Sequence, residues 1–256
     1  MIDIPQLEPG KKIYFVSDLH LGFPDAATSL EREKKFVRWL DFIAAGAQAI
    51  VLVGDLFDFW FEYKQAVPRG YVRVLGKLAV LRDAGLPVYF FTGNHDQWMF
   101  GYFEKELNIP VFHNAQHFKI QNKKFFVAHG DGLGPGDHGY KFLKKIFQGR
   151  LSRWFFARLH PNAGVSLGKK WSRNNHLLGG NVDETFKGEQ KEWLVQFAKS
   201  VLQKEHFDYF IFGHRHLAIE FPLNETSTYV NLGDWISFYT YAEFDGIDLR
   251  LKKFEG

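Results

Sequence analysis

Five apolar runs in this chain are each followed at once by a cluster of polar residues. The runs are rich in β-branched and aromatic side chains, which is typical of buried strands. They occupy residues 13–16, 50–53, 88–91, 125–128 and 209–212. Because parallel strands end at the same edge of a sheet, the groups that follow them can meet at one point in space. The pattern therefore predicts an α/β fold with a single site at the strand ends.

The polar clusters carry carboxylate, imidazole and amide groups. They read Asp18-Leu19-His20, Gly54-Asp55-Leu56-Phe57-Asp58, Gly93-Asn94-His95-Asp96, His129-Gly130-Asp131 and Gly213-His214-Arg215-His216. Any one of them could be only a turn or a helix cap. Turns or caps would have to place such polar groups by chance after nearly every core strand. A shared site is therefore the better explanation. These ligand types suit Mn²⁺, Fe²⁺ or Zn²⁺, and the chain has no cysteine to supply a thiolate.

Helix and turn signals divide the rest of the chain. A capping box at residues 28–31 predicts the start of a helix, because its threonine and glutamate can satisfy the first free amides. Further helices are predicted at 71–83, 98–106 and 184–204, paired strands around 117–128, and a hairpin turned at Asp245-Gly246. The β-α-β start and the strand-rich end predict two packed mixed β-sheets flanked by helices.

Length and composition favour one domain. The chain has 256 residues, 46% of them hydrophobic, and no Pro/Ser-rich linker or repeat divides it. We expect a single catalytic domain over 1–256 with a helical cap inserted at about 137–178. Residues 1–12 lack the apolar stretch of a signal peptide, and no run approaches the ~20 apolar residues of a transmembrane helix. The absence of cysteine excludes a disulfide framework, so a cytoplasmic protein is expected.

The order of the polar motifs, over residues 18–216, resembles the calcineurin-like metallophosphoesterase superfamily. That resemblance implies a centre with two divalent metal ions. The implied ligands of one ion are Asp18, His20, Asp55 and His216. The implied ligands of the other are Asp55, Asn94, His129 and His214. Asp55 would then bridge the two ions.

Two cations about 3.5 to 4 Å apart can lower the pKa of a water molecule and clamp the oxygens of a phosphoryl group. The nucleophile is then water and not a side chain. His95, beside Asn94, is the expected catalytic residue, which would stabilise developing charge or protonate the leaving oxygen. Asp58 and Asp96 are expected to orient His95 and its neighbours, although a loop cap is an alternative for either.

The predicted cap concentrates the positive charge of the chain. Residues 137–175 contain nine Lys or Arg residues and one acid, Asp137, for a net charge of +8, whereas the whole chain has +3. The same segment is apolar at helical spacing and includes Trp154, Phe155 and Phe156. The apolar stripe could serve only for docking, but this much aromatic surface favours a lipid or an anionic membrane surface. Nucleic acid is disfavoured, because the charge does not extend along a face.

Several cap features resemble the family of UDP-2,3-diacylglucosamine hydrolases in lipid A biosynthesis: Asp137 with Tyr140, the aromatic and basic helix, Arg173-Asn174-Asn175 and Gly233-Asp234-Trp235. The resemblance implies hydrolysis of the pyrophosphate bond of UDP-2,3-diacylglucosamine to UMP and 2,3-diacylglucosamine 1-phosphate (lipid X). It also implies Mn²⁺ and a peripheral place on the inner face of the cell membrane. The expected substrate contacts are Asp137, Tyr140, Trp154, Phe155, Lys169, Lys170, Arg173 and Asn174. Lys141, Lys144 and Lys145 are expected to face water or the membrane.

Two alternatives stay open, because the known members of that hydrolase family carry arginine where this chain has His95. A phosphodiesterase or nucleotide pyrophosphatase for a soluble substrate would need no contact between ligand and cap. A metal-free scaffold on the same fold is disfavoured, because all seven ligand positions and His95 are present.

Overall fold

The structure is a computed structural model that describes residues 1–135, 138–178, 185–186 and 188–256, with the backbone alone at 138, 140, 143 and 174–178. The strands are β1 (Ile2–Ile4), β2 (Lys12–Val16), β3 (Ala47–Val53), β4 (Val88–Phe91), β5 (Val111–Phe112), β6 (Gln116–Ile120), β7 (Lys123–Val127), β8 (Tyr209–Phe212), β9 (Ala218–Pro222), β10 (Thr228–Leu232), β11 (Thr240–Phe244) and β12 (Leu249–Lys253). The helices are α1 (Ala26–Ala44), α2 (Val72–Asp83), α3 (Tyr102–Glu106), α4 (His138–Gln148), α5 (Arg150–Phe156), α6 (Pro161–Leu178) and α7 (Trp193–Leu202).

The strands form two mixed sheets of six strands each. One has the order β1-β6-β7-β8-β10-β9 and the other β12-β11-β2-β3-β4-β5. Within them β2, β3 and β4 run parallel, and so do β7 and β8, so the polar motifs emerge at equivalent strand ends. The sheets face each other across a buried apolar layer in which Phe15 stacks on Phe125 with ring centroids 5.9 Å apart. The predicted fold class, two packed mixed sheets flanked by helices, is confirmed.

Helices cover the outer faces of both sheets. Helix α1 buries Phe36, Trp39 and Leu40 in the same cluster as Ile50 of β3. Helix α7 buries its apolar face against the other sheet, in the cluster that contains Phe210. Each helix thus contributes a stripe at i, i+3 and i+4, which is the spacing that an amphipathic helix requires. The two sheets are held between these layers, so the strand ends are rigid supports for the polar motifs.

Three predicted helices begin later or earlier than the sequence indicated. Helix α1 is capped by Asp25, whose Oδ1 accepts the amides of Ala27 and Thr28 at 2.9 Å each, so the predicted box at 28–31 lies inside the first turn. Helix α3 begins at Tyr102, where Oε2 of Glu62 accepts the amides of Phe100 and Tyr102. Helix α7 begins at Trp193, where a longer helix from 184 was predicted.

Helices α4, α5 and α6 occupy the segment where the cap was predicted. They contact the main body through Phe147, Phe156 and Val165, which pack on the buried aromatic residues Phe59, Phe61 and Trp98. The Trp98 indole donates a hydrogen bond of 2.9 Å to the carbonyl of Phe147. The part of the chain that the structure describes contains no helix long and apolar enough to cross a membrane.

Candidate metal centre

Five of the seven expected metal ligands have left-handed backbone conformations. Their φ angles lie between 45° and 67°, and they are Asp18, His20, Asp55, His214 and His216. Residues with a Cβ rarely adopt this conformation, which costs about 1–3 kcal/mol and occurs where the surrounding structure enforces it, often at functional sites. The strand-end turns therefore hold these side chains in positions that an unconstrained backbone would avoid.

The turns after β2 and β3 brace each other. The amide of Asp18 donates to the carbonyl of Gly54 at 3.1 Å, and the amide of His20 donates to the carbonyl of Asp55 at 2.9 Å. The backbone hydrogen bonding between β2 and β3 thus continues into the two polar motifs that follow them. At the next strand end Gly93 lies against Asp55 so closely that an added Cβ would overlap the carboxylate. This packing brings motifs that are far apart in the sequence to one point.

The expected ligands form a compact chain of donor atoms. Three groups have all their donor atoms within 4.8 Å of one another: Asp18 with His20 and His216, His20 with Asp55 and His95, and Asp55 with His129 and His214. The middle group shares His20 with the first group and Asp55 with the third, so the three groups are continuous. Oδ2 of Asp55 is 3.1 Å from His129 Nε2 and 3.7 Å from His20 Nε2.

Asn94 is the remaining expected ligand. Its Oδ1 is buried and accepts no hydrogen bond from the described residues. A buried amide oxygen without a donor costs free energy, so such an oxygen is found where a cation or a water binds it. The placement fits the expectation that Asn94 supplies an oxygen ligand.

The histidine rings are held from their outer edges. His129 Nδ1 lies 2.9 Å from the carbonyl oxygen of Val53, and because a carbonyl only accepts, Nδ1 carries the hydrogen. His216 Nδ1 lies 3.4 Å from the Asp234 carboxylate. In both rings Nε2 faces the cluster, 3.1 Å from Asp55 Oδ2 for His129 and 3.4 Å from Asp18 Oδ1 for His216. An outer partner that fixes the tautomer and orientation is the usual support of a metal-binding histidine.

The electrostatics of the cluster favour positive charge. Burial alone would raise the pKa values of Asp18 and Asp55, but His216 beside the first and His129 beside the second bring both below their usual range. Burial would likewise lower the pKa values of His20 and His129, yet the surrounding carboxylates raise both to about 10. A buried site that holds protons this firmly is one in which a divalent cation can take their place.

His214 behaves differently from its neighbours. Burial and the nearby His129 lower its pKa to about 4, so the ring is neutral at physiological pH. A neutral imidazole is the form that binds a metal ion. The hard oxygens and imidazole nitrogens together fit divalent cations, which is the chemistry expected from the sequence.

Asp96 joins two strand-end turns. Its Oδ2 accepts the amide of Leu56 at 2.8 Å, and its Oδ1 accepts the amide of Gly93 at 2.7 Å. Burial and the charge of Asp55 raise its pKa to about 7. Its contacts are those of a loop cap, which was the alternative considered for this residue.

Asp58 lies at the edge of the cluster next to the expected catalytic histidine. Its main-chain carbonyl accepts the Nδ1–H of His95 at 2.9 Å, and its Oδ1 lies 3.6 Å from His20 Nδ1. The placement agrees with an orienting role for Asp58. The rings of His20 and His95 meet edge to face with centroids 4.7 Å apart, so His95 directly adjoins the expected ligands.

Sequence reasoning missed the residues that support the motifs from behind. Arg32, on the buried side of α1, donates to the carbonyl oxygens of Leu19, His20 and Phe23 at 3.1, 3.0 and 2.9 Å. Arginine in an amphipathic helix usually faces water, so the sequence pattern contains no signal for this contact. The guanidinium group fixes the turn that carries His20.

A buried ion pair supports the last motif. Arg215, between the two expected histidine ligands, has its Nε 3.1 Å from Oε2 of Glu192, and both side chains are at least nine-tenths buried. Asp234 was noted only as part of a family motif. Its Oδ1 accepts the amides of residues 236, 237 and 238, while its other oxygen faces His216. In the sequence Asp234 is detectable only as an acid in that motif, and nothing marks Glu192.

A cavity of about 190 Å³ opens beside the cluster and beneath the cap. Both the polar and the apolar parts of its wall combine main-body and cap residues. The lining residues are Asp58, Phe59, Asn94, His95, Gln97, Trp98, Lys144, Phe147, Gly168, Trp171 and Ser172. The rings of Phe147 and Trp171 contact each other with centroids 4.3 Å apart. The cavity therefore connects His95, the expected catalytic residue, to an aromatic wall.

The expected substrate contacts are only partly near this cavity. Trp154 and Phe155 are 51% and 63% exposed and point away from it, because the buried face of α5 is provided by Phe156. Lys169 is half-buried, Lys170 is exposed, and the Arg173 guanidinium donates to the carbonyl of Pro24 at 2.8 Å. Asp137 and the side chains of Tyr140 and Asn174 lie outside the described residues.

Two cap lysines were expected to face water or the membrane, and that prediction is wrong. Lys144 lies with its Nζ 2.5 Å from Oδ2 of Asp131 and also donates to the carbonyl of Asp131 at 3.0 Å. Lys141 donates to the carbonyl of Gly134 at 2.6 Å. Both hold the loop that follows His129, while Lys145 is exposed as expected. The acceptors come from a loop directly under α4, which the charge pattern alone does not reveal.

The comparison with known families decides the assignment. The family model described as Calcineurin-like phosphoesterase matches residues 11–218, which include all the strand-end motifs. The chain belongs to this family. As a calcineurin-like phosphoesterase the protein is a hydrolase, and phosphoesterases of this family bind divalent metal ions.

Individual relatives of this phosphoesterase extend across the cap as well. A UDP-2,3-diacylglucosamine hydrolase of Porphyromonas gingivalis is 37% identical, with 95% of this chain and 98% of the relative covered. A UDP-2,3-diacylglucosamine hydrolase of Haemophilus influenzae is 30% identical, with 90% of this chain and 92% of the relative covered. The solved structure of Yfce, a phosphoesterase from E. coli, is 16% identical and aligns with a TM-score of 0.45 over 94% of this chain and 92% of the other.

Proposed function

We propose that the protein hydrolyses the pyrophosphate bond of UDP-2,3-diacylglucosamine, giving UMP and 2,3-diacylglucosamine 1-phosphate. The observation that carries this proposal is the cavity that begins at Asn94 and His95 and continues along the aromatic wall of the cap. Such a cavity can hold a phosphoryl group at one end and an acyl chain at the other. The names and the nearly full-length similarity of the two hydrolase relatives support it.

The proposed metal ligands are the seven strand-end residues. One ion is assigned to Asp18, His20, Asp55 and His216, and the other to Asp55, Asn94, His129 and His214. We assign Mn²⁺, because carboxylate and amide oxygens combined with imidazole suit it and no thiolate is available. When bound, a pair of divalent ions lowers the pKa of a water molecule and neutralises the charge of the phosphoryl oxygens.

The residues of the chain provide position and proton control. Asp58 holds the Nδ1–H of His95 through its main-chain carbonyl, so the opposite edge of the ring can face the phosphoryl group. From there His95 can stabilise developing charge or donate a proton to the leaving oxygen. The aromatic wall keeps water away from this end of the cavity, which strengthens each electrostatic contact there.

The composition of the wall favours an acyl group as its occupant. Phe59, Trp98, Phe147 and Trp171 offer apolar ring surface. A sugar hydroxyl or a second phosphate placed against these rings would lose hydrogen bonds to water and gain few in return. An acyl chain loses none and gains from the removal of apolar surface from water.

The test is a comparison of three substrates with the Mn²⁺-loaded enzyme: UDP-2,3-diacylglucosamine, UDP-glucose and a small aryl phosphodiester. We expect kcat/KM for the diacylated compound to exceed that for UDP-glucose by at least about 10²-fold, because only the former draws binding energy from the acyl contacts. UMP should be the nucleotide product. Equal values for all three compounds would contradict the proposal and favour a phosphodiesterase for another substrate.

A matched pair of tryptophan variants tests the cavity. Trp171→Ala should lower kcat/KM for the diacylated substrate by about 10- to 150-fold, because it removes one large apolar contact of about 1.5–3 kcal/mol. The same variant should leave hydrolysis of the aryl phosphodiester within about 3-fold of wild type, since that compound does not reach the wall. Trp154→Ala is the control, because this side chain is half exposed and lies outside the cavity.

An equal loss with both substrates would show that Trp171 only supports the structure of the cap. A larger loss from Trp154→Ala than from Trp171→Ala would move the acyl site to the outer face of α5, where the sequence first placed it.

We further propose that the cap binds an anionic membrane surface. Large apolar side chains stand exposed on α4, α5 and α6: Phe142 is 65% exposed, Leu151 74%, Phe155 63% and Leu167 54%. Basic residues accompany them, as on helices that lie in a membrane interface. Anionic lipid attracts each nearby cation by about 1 kcal/mol.

Vesicle sedimentation measures this binding. The wild-type protein should sediment with vesicles that contain anionic lipid and much less with neutral ones. Leu151→Ser should weaken the sedimentation about 5- to 10-fold, because it removes an apolar contact of about 1 kcal/mol or more, and should spare hydrolysis of the aryl phosphodiester. Equal sedimentation with both kinds of vesicle, or none, would contradict the proposal.

A further inference from the structure

Helix α6 of the cap lies directly against the segment that follows Asp58. Its small residues Gly164, Gly168 and Ser172 are spaced four apart and therefore share one face of the helix. An added Cβ at Gly164 would overlap the Tyr63 hydroxyl, and one at Gly168 would overlap the ring of Phe59. The face of α6 is thus in van der Waals contact with the main body, and side chains larger than glycine do not fit at those two points.

The third small residue on this face contacts the catalytic centre. Ser172 is buried, and its hydroxyl donates a hydrogen bond of 2.7 Å to Oδ1 of Asp58. The same oxygen lies 3.0 Å from Nδ1 of His95. A serine hydroxyl has one hydrogen and two lone pairs, so an oxygen that donates to Asp58 can accept from His95. The serine therefore closes a small network between the cap and two residues beside the cluster.

This network acts on one edge of the His95 ring. Nδ1 has its hydrogen directed between the carbonyl of Asp58 and the oxygen of Ser172, which lie 2.9 and 3.0 Å away. Two acceptors fix the rotation of the ring more narrowly than one. They also favour the tautomer with hydrogen on Nδ1, because the other tautomer would place two lone-pair oxygens against a ring nitrogen without hydrogen.

We infer that Ser172 is a positioning residue that couples cap docking to the orientation of His95. The inference rests on the catalytic role proposed for His95. With α6 seated on Phe59 and Tyr63, the hydroxyl reaches both Asp58 and His95. With α6 displaced, both of these contacts are lost. The enzyme is therefore fully active only when the cap that forms the aromatic wall is in place.

Two substitutions separate this coupling from a general structural effect. Ser172→Ala removes the hydroxyl but not the docking of α6. Gly168→Ala leaves the hydroxyl but forces α6 away from Phe59. Each has a matched control: Ser166→Ala changes an exposed serine of the same helix, and Gly76→Ala adds a Cβ in α2 where nothing lies within 4 Å.

The first readout is the hydrolysis of a small aryl phosphodiester, which does not depend on the identity of the natural substrate. Ser172→Ala should lower kcat about 10-fold with KM nearly unchanged, because loss of a contact behind a catalytic group typically costs about 10- to 100-fold. Gly168→Ala should lower kcat by a similar factor. Both controls should retain wild-type kcat. Ser172→Thr, which keeps the hydroxyl, should recover most of the loss.

The second readout is the imidazole ¹⁵N spectrum of His95 in the metal-free protein, which requires no activity. The wild-type signals should show hydrogen predominantly on Nδ1, and Ser172→Ala and Gly168→Ala should shift them toward a tautomer mixture, while the control variants do not. Unchanged His95 signals with unchanged kcat in Ser172→Ala would overturn the inference. Loss of thermal stability without these changes would also overturn it, because it would show a packing role alone.

Discussion

Replacement of Asp55 by asparagine is expected to lower kcat/KM for any phosphoester substrate by at least about 10³-fold. Asp55 belongs to two of the three donor groups, and its Oδ2 faces both His129 and His20. Asparagine has the same shape but carries no charge, so the anionic ligand proposed to be shared by both ions is lost while the space stays filled. Loss of a ligand that serves one ion, such as His216→Gln, should cost less.

The fold should tolerate the Asp55 substitution. Oδ1 of Asp55 accepts the amide of His95 at 2.8 Å, and the asparagine oxygen can do the same. The residue stands at a strand end outside the apolar layers, so the melting temperature in the presence of a chelator should change little. Wild-type protein should gain about 2.7 kcal/mol of stability when Mn²⁺ is present at 100 times its Kd, and the variant should lose most of this gain.

Metal analysis and turnover together decide this prediction. A protein with Asp55→Asn that retains two ions per chain and a nearly normal rate would end the two-metal account. A variant that fails to fold would be recognised by its melting curve in chelator. In that case Asp55→Glu, which keeps the charge, should restore the fold but not the rate.

The second large effect is expected at His95. His95→Ala should lower kcat and kcat/KM together by about 10²-fold or more with little change in KM, because the contact is made mainly in the transition state. Metal content should stay at the wild-type level, since His95 is not among the assigned ligands. His113→Gln is a suitable control, because His113 is outside the cluster and contacts Thr92 at 3.3 Å.

An arginine at the same position separates two roles of His95. If the ring stabilises charge at the phosphoryl group, His95→Arg should retain activity within about 10-fold of wild type, because arginine also carries positive charge. If the ring donates a proton, arginine should be as poor as alanine, because a guanidinium group does not release its proton at physiological pH. Unchanged kcat with lower thermal stability in His95→Ala would show that His95 has a structural role alone.

The sequence predicted the strand ends well, for a physical reason. Buried parallel strands are uniformly apolar, and polar groups such as Asp18 and Asp55 mark the points where those strands leave the core. The same pattern gave the two-sheet architecture. It gave no sign of β1, whose three residues are too few to show a period, although they pair with β6.

The contacts behind the motifs could not be predicted in this way. Arg32 and Glu192 are ordinary charged residues in the sequence, and only the fold turns their side chains inward toward the turns at His20 and Arg215. Local chemistry was also ambiguous at α1, where both Asp25 and the box at 28–31 are suitable caps. The extended backbone at Asp25 makes this residue the cap of the helix.

The cap shows a second limit of pattern reasoning. Its helices have aromatic residues on more than one face. Helical periodicity shows which residues share a face, but it does not show what that face contacts. Trp154 and Trp171 have the same chemistry, yet Trp171 lines the cavity while Trp154 is outside. Lys144 similarly contacts Asp131, which the charge pattern could not show.

The central claim, that five strand ends build one two-metal centre, is tested most directly by an anomalous difference map from crystals of the Mn²⁺-loaded protein. The account predicts two peaks about 3.5 to 4 Å apart, with the Asp55 carboxylate in contact with both. One peak should adjoin Asp18, His20 and His216, and the other Asn94, His129 and His214. A single peak, or two peaks that do not share Asp55, would contradict it.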